Sequence, residues 1–347
     1  LKMQKILIFC FCLILFGCQK SAPLHKGVGQ QSTVNSQHSF TIETRCPVTP
    51  VKNQGRSSSC WIYAMLATIE SNRLAMGDSV NLSTAYYERK LLAEQAERIF
   101  LTPTHGNMGT GKINMRGMIP HLMTMFHRYG AFSEMAYHHI NAQKNFNVLV
   151  RELELFAKQT ANNARGITPF REKLNTFLDR EIGYLPGRMF MLGAEYTPME
   201  FGHSVALLGS YEFLGADYAF PDRRESDVIK STAPKALLTL TEKTVRAGKA
   251  VCWEGDISEP GFDWRNGIAE TDYDAKTAIV NYYKDIENFK TTDDHCLEIC
   301  GIAHDENGEK YFICKNSWGT GNRFYGFLFM HFNYFLAKTL LIGYPKF

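Results

Sequence analysis

The spacing of apolar residues changes period part-way along the chain. From Cys60 onward, Trp61, Ala64, Met65, Thr68, Ile69 and Asn72 recur every 3.6 residues with good helix formers between them. This predicts a helix that Gly77 and Asp78 stop. Ser83 reads as the N-cap of a second helix through Glu97, rich in Ala, Leu, Glu and Lys. Further helices are predicted over 113–129, 143–162 and 169–181, with Gly106, Gly109 and Gly111 marking a loop after the second. The pattern then shifts. A helical turn over 241–247 ends at Gly248, and a strand follows from Ala250 to Glu254. After a loop rich in Gly, Asp and Asn, strands are predicted over 295–303, 310–315, 325–331 and 336–343. Asp305-Glu306-Asn307-Gly308 is a hairpin turn, since Asn-Gly tolerates the positive φ such turns need. Helices first and antiparallel strands last predict an α+β fold. Its two lobes, a helical one mainly over 60–240 and a β one mainly over 249–343, meet at a cleft.

The N-terminal region has a different pattern. Lys2 and Lys5 precede an apolar run of 11 residues, Ile6 to Phe16, too short to span a bilayer and suited to a signal segment. It ends Leu15-Phe16-Gly17-Cys18, which resembles a bacterial lipoprotein cleavage box with Cys18 as the lipidated residue. Residues 1–18 are therefore expected to direct export and residues 19–45, polar and without periodicity, to form a flexible tether. The domain is expected over 46–347, held by its lipid at the cell envelope, facing the periplasm or the surface. The 347 residues are 45 % hydrophobic and 21 % charged, enough for a sizeable core. A net charge of +3 with no basic stripe argues against a nucleic-acid partner. Of nine cysteines, six fall in the domain: Cys46, Cys60, Cys252, Cys296, Cys300 and Cys314. There is no C-x-x-C pair, and His295 and His304 lack ligand spacing, so no metal and no other cofactor is expected.

The stretch Gln54-Gly55-Arg56-Ser57-Ser58-Ser59-Cys60-Trp61 places a thiol at the start of the first helix. Backbone N–H groups and the helix dipole there favour a thiolate. The small serines leave room for a substrate backbone, and the Gln54 side-chain NH₂ with the Cys60 N–H can face an oxyanion. A thiolate nucleophile needs a partner. His295 opens a strand, and the returning strand ends Lys315-Asn316-Ser317-Trp318-Gly319. The hairpin would bring Asn316 beside His295, so that its side-chain carbonyl fixes the imidazole tautomer. Trp318 would shield that bond from water, and Gly319 would let the backbone turn.

Gln54, Cys60-Trp61, Asp294-His295 and Asn316-Ser317-Trp318-Gly319, in that order, resemble the papain superfamily of cysteine peptidases. Val51-Lys52-Asn53-Gln54, Leu82-Ser83, Val251-Cys252-Trp253-Glu254-Gly255-Asp256-Ile257-Ser258 and Thr197-Pro198-Met199-Glu200-Phe201 resemble its bleomycin hydrolase/aminopeptidase C branch. The resemblance covers roughly residues 46–343. It implies a helical lobe led by the nucleophile helix, a β-barrel-like lobe, and peptide hydrolysis through a thioester acyl-enzyme. Carried over, Cys60 is the nucleophile, His295 the general acid/base, Asn316 the orienter and Gln54 the oxyanion donor. Peptides or proteins are the implied substrates, with aminopeptidase or broader action. The chain departs from the branch in having Cys296 after His295 and only 31 residues after Asn316, short for the tail that enters the branch's cleft. Strand alternation predicts that Cys296 faces away from Cys60. Other readings are a transpeptidase or ligase using the same site, and a catalytically silent peptide-binding surface lipoprotein. His138-His139 and Asp293-Asp294 read as solvated loop positions, and Cys252, Cys300 and Cys314 as strand-core thiols.

Overall fold

Residues 39–102, 111–140, 145–191, 193–205, 211–216, 218, 220–224 and 227–346 are described by the computed structural model. The export segment with Cys18, the tether as far as residue 38, and Gly106 and Gly109 lie outside them. The chain opens with strand β1 (Thr41–Arg45) and helix α1 (Cys60–Leu74), followed by α2 (Thr84–Leu101), α3 (Ile119–Tyr129), α4 (Phe146–Asn163) and α5 (Ile167–Glu181). Ser83 caps α2 as expected, its hydroxyl accepting from Tyr86 N–H at 3.0 Å. Helix α3 starts later than the predicted residue 113. Pro120 has no N–H and fits only the first turn. The residues before it run extended, held by Gln95, which exchanges hydrogen bonds with the Asn114 backbone at 2.7 and 3.0 Å.

A short hairpin, β2 (Met189–Met191) and β3 (Ala194–Tyr196), leads through α6 (Pro198–Val205) to β4 (Tyr211–Gly215) and β5 (Lys230–Ser231). Helix α7 (Pro234–Arg246) extends well beyond the predicted turn. After β6 (Val251–Gly255), the predicted loop contains β7 (Phe262–Asp263), β8 (Ile268–Ala269) and a full helix, α8 (Ala275–Glu287). Its cap is Asp274, which accepts from Thr277 N–H at 2.7 Å. The predicted hairpin is β9 (His295–His304) and β10 (Lys310–Lys315), followed by β11 (Phe327–His331). The last predicted strand begins instead as helix α9 (Phe332–Lys338), and only then continues as β12 (Thr339–Pro345). A short apolar run satisfies both periods, so only packing decides between them.

Apart from β2 and β3, which pair only with each other, the strands join one sheet in the order β5-β4-β12-β6-β9-β10-β11-β8-β7. The central pairings are antiparallel, while β4–β5 and β8–β11 are parallel. Strand β1 also pairs with β9, from Thr41 opposite His304 to Arg45 opposite Gly301. The expected tether is therefore corrected at its end: residues 41–45 belong to the sheet, because β9 has backbone groups that only another strand satisfies. Among the described residues there are two large hydrophobic clusters and a small third one of Ala278, Leu336 and Ala337. Of the large ones, one is built around α1–α5 and takes in Cys252, Cys296, Leu340 and Leu341 from the sheet; the other lies among β6, β9–β12 and α7. All six domain cysteines are free thiols, and all but Cys60 are buried.

Candidate active site

Cys60 is the first residue of α1, where backbone N–H groups have no partner within the helix. Most of the helix behind it is buried, and Trp61 anchors it: its indole N–H donates to Met115 O at 2.9 Å. Gly117 lies flat against that indole, where a Cβ would come within 2.8 Å of the ring. The flanking Ser59 does not cap the helix with its side chain. Its hydroxyl donates instead to Glu88 Oε1 at 2.6 Å and shares a 2.8 Å bond with Ser57 Oγ. Glu88, fully buried, also bonds His139 Nε2 at 2.5 Å. The reading of His139 as a solvated loop residue is corrected: α2 brings a buried carboxyl that the exposed-looking His-His pair gives no hint of.

Gln54 is locked from both sides. Its Nε2 donates to Ser57 O at 2.7 Å and its Oε1 accepts from Ser317 Oγ at 2.6 Å. Its backbone N–H donates to Ser317 O at 2.8 Å, so the loop before α1 is fastened to the loop after β10. That second loop turns at Gly319, whose φ of +70° favours glycine. Asn316 follows β10 and reaches His295 at the start of β9: Oδ1 lies 2.8 Å from the imidazole Nε2. The carbonyl can only accept, so Nε2 carries the proton and Nδ1 is left for Cys60. The Trp318 ring covers the imidazole, with centroids 4.6 Å apart, and is itself backed edge-on by Trp264 at 5.4 Å. The structure thus brings together Gln54, Cys60, His295, Asn316 and Trp318.

The Cys60 thiol is held well below its ordinary range. The main cause is a hydrogen bond from the Cys296 thiol; burial opposes it, and the bond and charge of His295 add to it. His295 is raised above its ordinary value: burial opposes, but bonds to Cys60 and Asn316 outweigh it. The two shifts favour a thiolate–imidazolium pair. Cys296 does not face away from Cys60, and that expectation is corrected. Alternation along β9 does hold, but it turns Cys296 toward α1 and into the helical cluster. His295 takes the other face, toward Trp318, and Cys60 lines the same cleft as both.

Gln54, Cys60, His295, Cys296 and Trp318 line a cleft of about 340 Å³, whose other walls include Arg116, Gly117, Asp222, Ile257, Asp293 and Asp294. Arg116 Nε donates to Asp222 Oδ2 at 2.6 Å. Asp293 and Asp294 are loop positions as expected, Asp294 exposed and Asp293 half-buried, and both also line the cleft. Their position directly before His295 was the available signal. Arg116 and Asp222, 106 residues apart, left no comparable sign.

No family model and no curated protein matches the chain. Among solved structures it superposes on PepW from Lactobacillus rhamnosis, with a TM-score of 0.63 at 16 % identity, covering 88 % of this chain and 82 % of that one. The fold is papain-like. This papain-like fold is the α+β architecture expected from the order of helices and strands. A looser overlap with procathepsin L 3 from the larval midgut of Tenebrio molitor has a TM-score of 0.45 at 16 % identity, covering 90 % of this chain and 72 % of that one. That score is too low to support an argument. At such identities the likeness shows the fold alone.

Proposed function

We propose that the protein is a cysteine peptidase that hydrolyses peptide bonds through a thioester acyl-enzyme. One observation carries the reading: Asn316 holds the His295 ring by Nε2, leaving Nδ1 to a thiol at a helix N-terminus, in a cleft open to substrate. The Cys60 thiolate attacks the peptide carbonyl. The Cys60 N–H and the Gln54 amide hydrogen not spent on Ser57 are the donors for the oxyanion. His295 gives its Nδ1 proton to the leaving amine, then takes a proton from the water that cleaves the thioester. Trp318 keeps water from the His295–Asn316 bond. None of these steps calls on a cofactor.

The substrates are peptides or proteins, cleaved at the N-terminus or more broadly. With Cys18 lipidated, the enzyme would work at the cell envelope. The test is peptide hydrolysis by the intact protein and by Cys60→Ala, with mass spectrometry after an epoxide thiol reagent. Rapid labelling of Cys60 and loss of hydrolysis in the variant are expected. Full-rate hydrolysis by Cys60→Ala would end the proposal. A matched peptide pair, with free and blocked N-termini, separates aminopeptidase from broader action.

A further inference from the structure

The hydrolysis just described does not use the acidic wall of the cleft. Asp222 is neutralised by Arg116, and Asp294 Oδ1 accepts from Ile257 N–H at 2.9 Å. Asp293 is different. Among the described residues, no Lys, Arg or His comes within ion-pair distance of its carboxylate, and Arg116 Nη2 reaches only its main-chain oxygen, at 3.2 Å. Behind it stands Glu254 on β6, with no exposed surface. Glu254 Oε2 accepts from Ile119 N–H at 3.0 Å, while Oε1 has no donor.

Burial, with the charge of Asp293 beside it, pushes the Glu254 carboxyl well up and favours its protonated form. Asp293 is itself raised to about 6, chiefly by burial, and is charged at neutral pH. Asp293 therefore carries a negative charge, half-withdrawn from water, whose carboxylate makes no salt bridge among the described residues, Arg116 being held to its main-chain oxygen. Such a charge is costly unless a cation completes it. Asp293 also lies two residues before His295 and feels the charge of Cys60, so a cation bound there sits beside the reacting carbonyl.

We propose that Asp293, backed by Glu254, is a subsite for a cationic group of the substrate next to the cleaved bond, an ammonium or a guanidinium. The inference rests on the peptidase reading for its role in turnover but not for its binding test. Binding is measured to the full-length Cys60→Ala protein, which removes the chemistry. The probes are blocked peptides differing only in lysine, arginine or norleucine beside the scissile position, and the norleucine peptide with a free N-terminus.

A preference of about tenfold for lysine or arginine over norleucine identifies a side-chain subsite. The same preference for the free over the blocked norleucine peptide identifies an α-ammonium subsite. Asp293→Asn should abolish whichever preference is found, and Asp293→Glu should restore it. Equal affinities for all four peptides would overturn the inference. So would a preference untouched by Asp293→Asn. A wild-type protein that binds cationic peptides selectively but cleaves none would instead count against the peptidase reading alone.

Discussion

The cleft and the polar cluster behind the nucleophile helix each join a histidine to an acidic partner, and they use it differently. In the cleft, His295 lies between Cys60 and Asn316 under Trp318, and the thiol faces open space. Behind the helix, His139 bonds Glu88, which passes the contact on to Ser59 and Ser57. Both imidazoles are raised despite burial, each by hydrogen bonds and charge from its partner. Access separates them. The charge at Cys60 is available to a substrate, whereas Glu88 is sealed and its bonds are spent holding residues 57–59 in place. An ion pair can therefore do chemistry or position a loop, and the side open to solvent decides which.

The comparison breaks most sharply at the cleft. Cys60→Ala and His295→Ala should each lower kcat by about 10⁴-fold, measured by steady-state peptide hydrolysis, with little change in Tm. Equal effects from Glu88→Gln would erase the distinction between the two clusters. Asn316→Ala should cost less, about 10²-fold, because the ring loses its orientation but keeps its base. Rescue of kcat by Asn316→Gln, however partial, would confirm orientation as its role.

Cys296→Ala tests a finer point. Activity should rise with pH as Cys60 ionises and fall as His295 deprotonates above its raised value. Removing the thiol that donates to Cys60 should move the rising limb to higher pH and leave the falling limb in place, as read from kcat/KM against pH. An unmoved rising limb would show that His295 and the helix terminus suffice. The smallest effect on turnover is expected from Glu88→Gln, which should instead cost about 1–3 kcal/mol of stability in denaturant unfolding. Since His139 is raised in the folded state, its contribution is full at pH below its unfolded value near 6.5. It is lost as pH rises through the folded value. Glu88→Gln should flatten that dependence.

Much of the site was legible because its parts are local in the chain. Gln54 and Cys60 share one short stretch, and the strand–hairpin–strand spacing from His295 to Asn316 matches the pairing of β9 with β10. Helices α1 and α2 were legible because each is a long run of helix formers bounded by stop and cap signals, Gly77 after α1 and Ser83 before α2, although α1 is buried on every side. Helix α8 was not, since Asp272-Tyr273-Asp274 reads as loop until the Asp274 cap is seen. Helix α9 and strand β12 were run together because Phe332 to Tyr344 is nearly all apolar, and that gives no period to choose by. Thr41–Arg45 looked like tether because its burial is slight; backbone pairing with β9 holds it.

The sequence by itself pointed to the side chains proposed as nucleophile, base and orienter, because residue type and short-range spacing single out Cys60 at a helix terminus and the His295–Asn316 pair. Only the tertiary structure decided what surrounds them. Cys296 beside the thiol, Glu254 behind Asp293, and Glu88 beneath Ser59 come from elements far apart in the chain. Charge and hydrogen bonding act over a few ångströms of space whatever the separation in sequence, so these partners appear only once α1, β6 and β9 have packed.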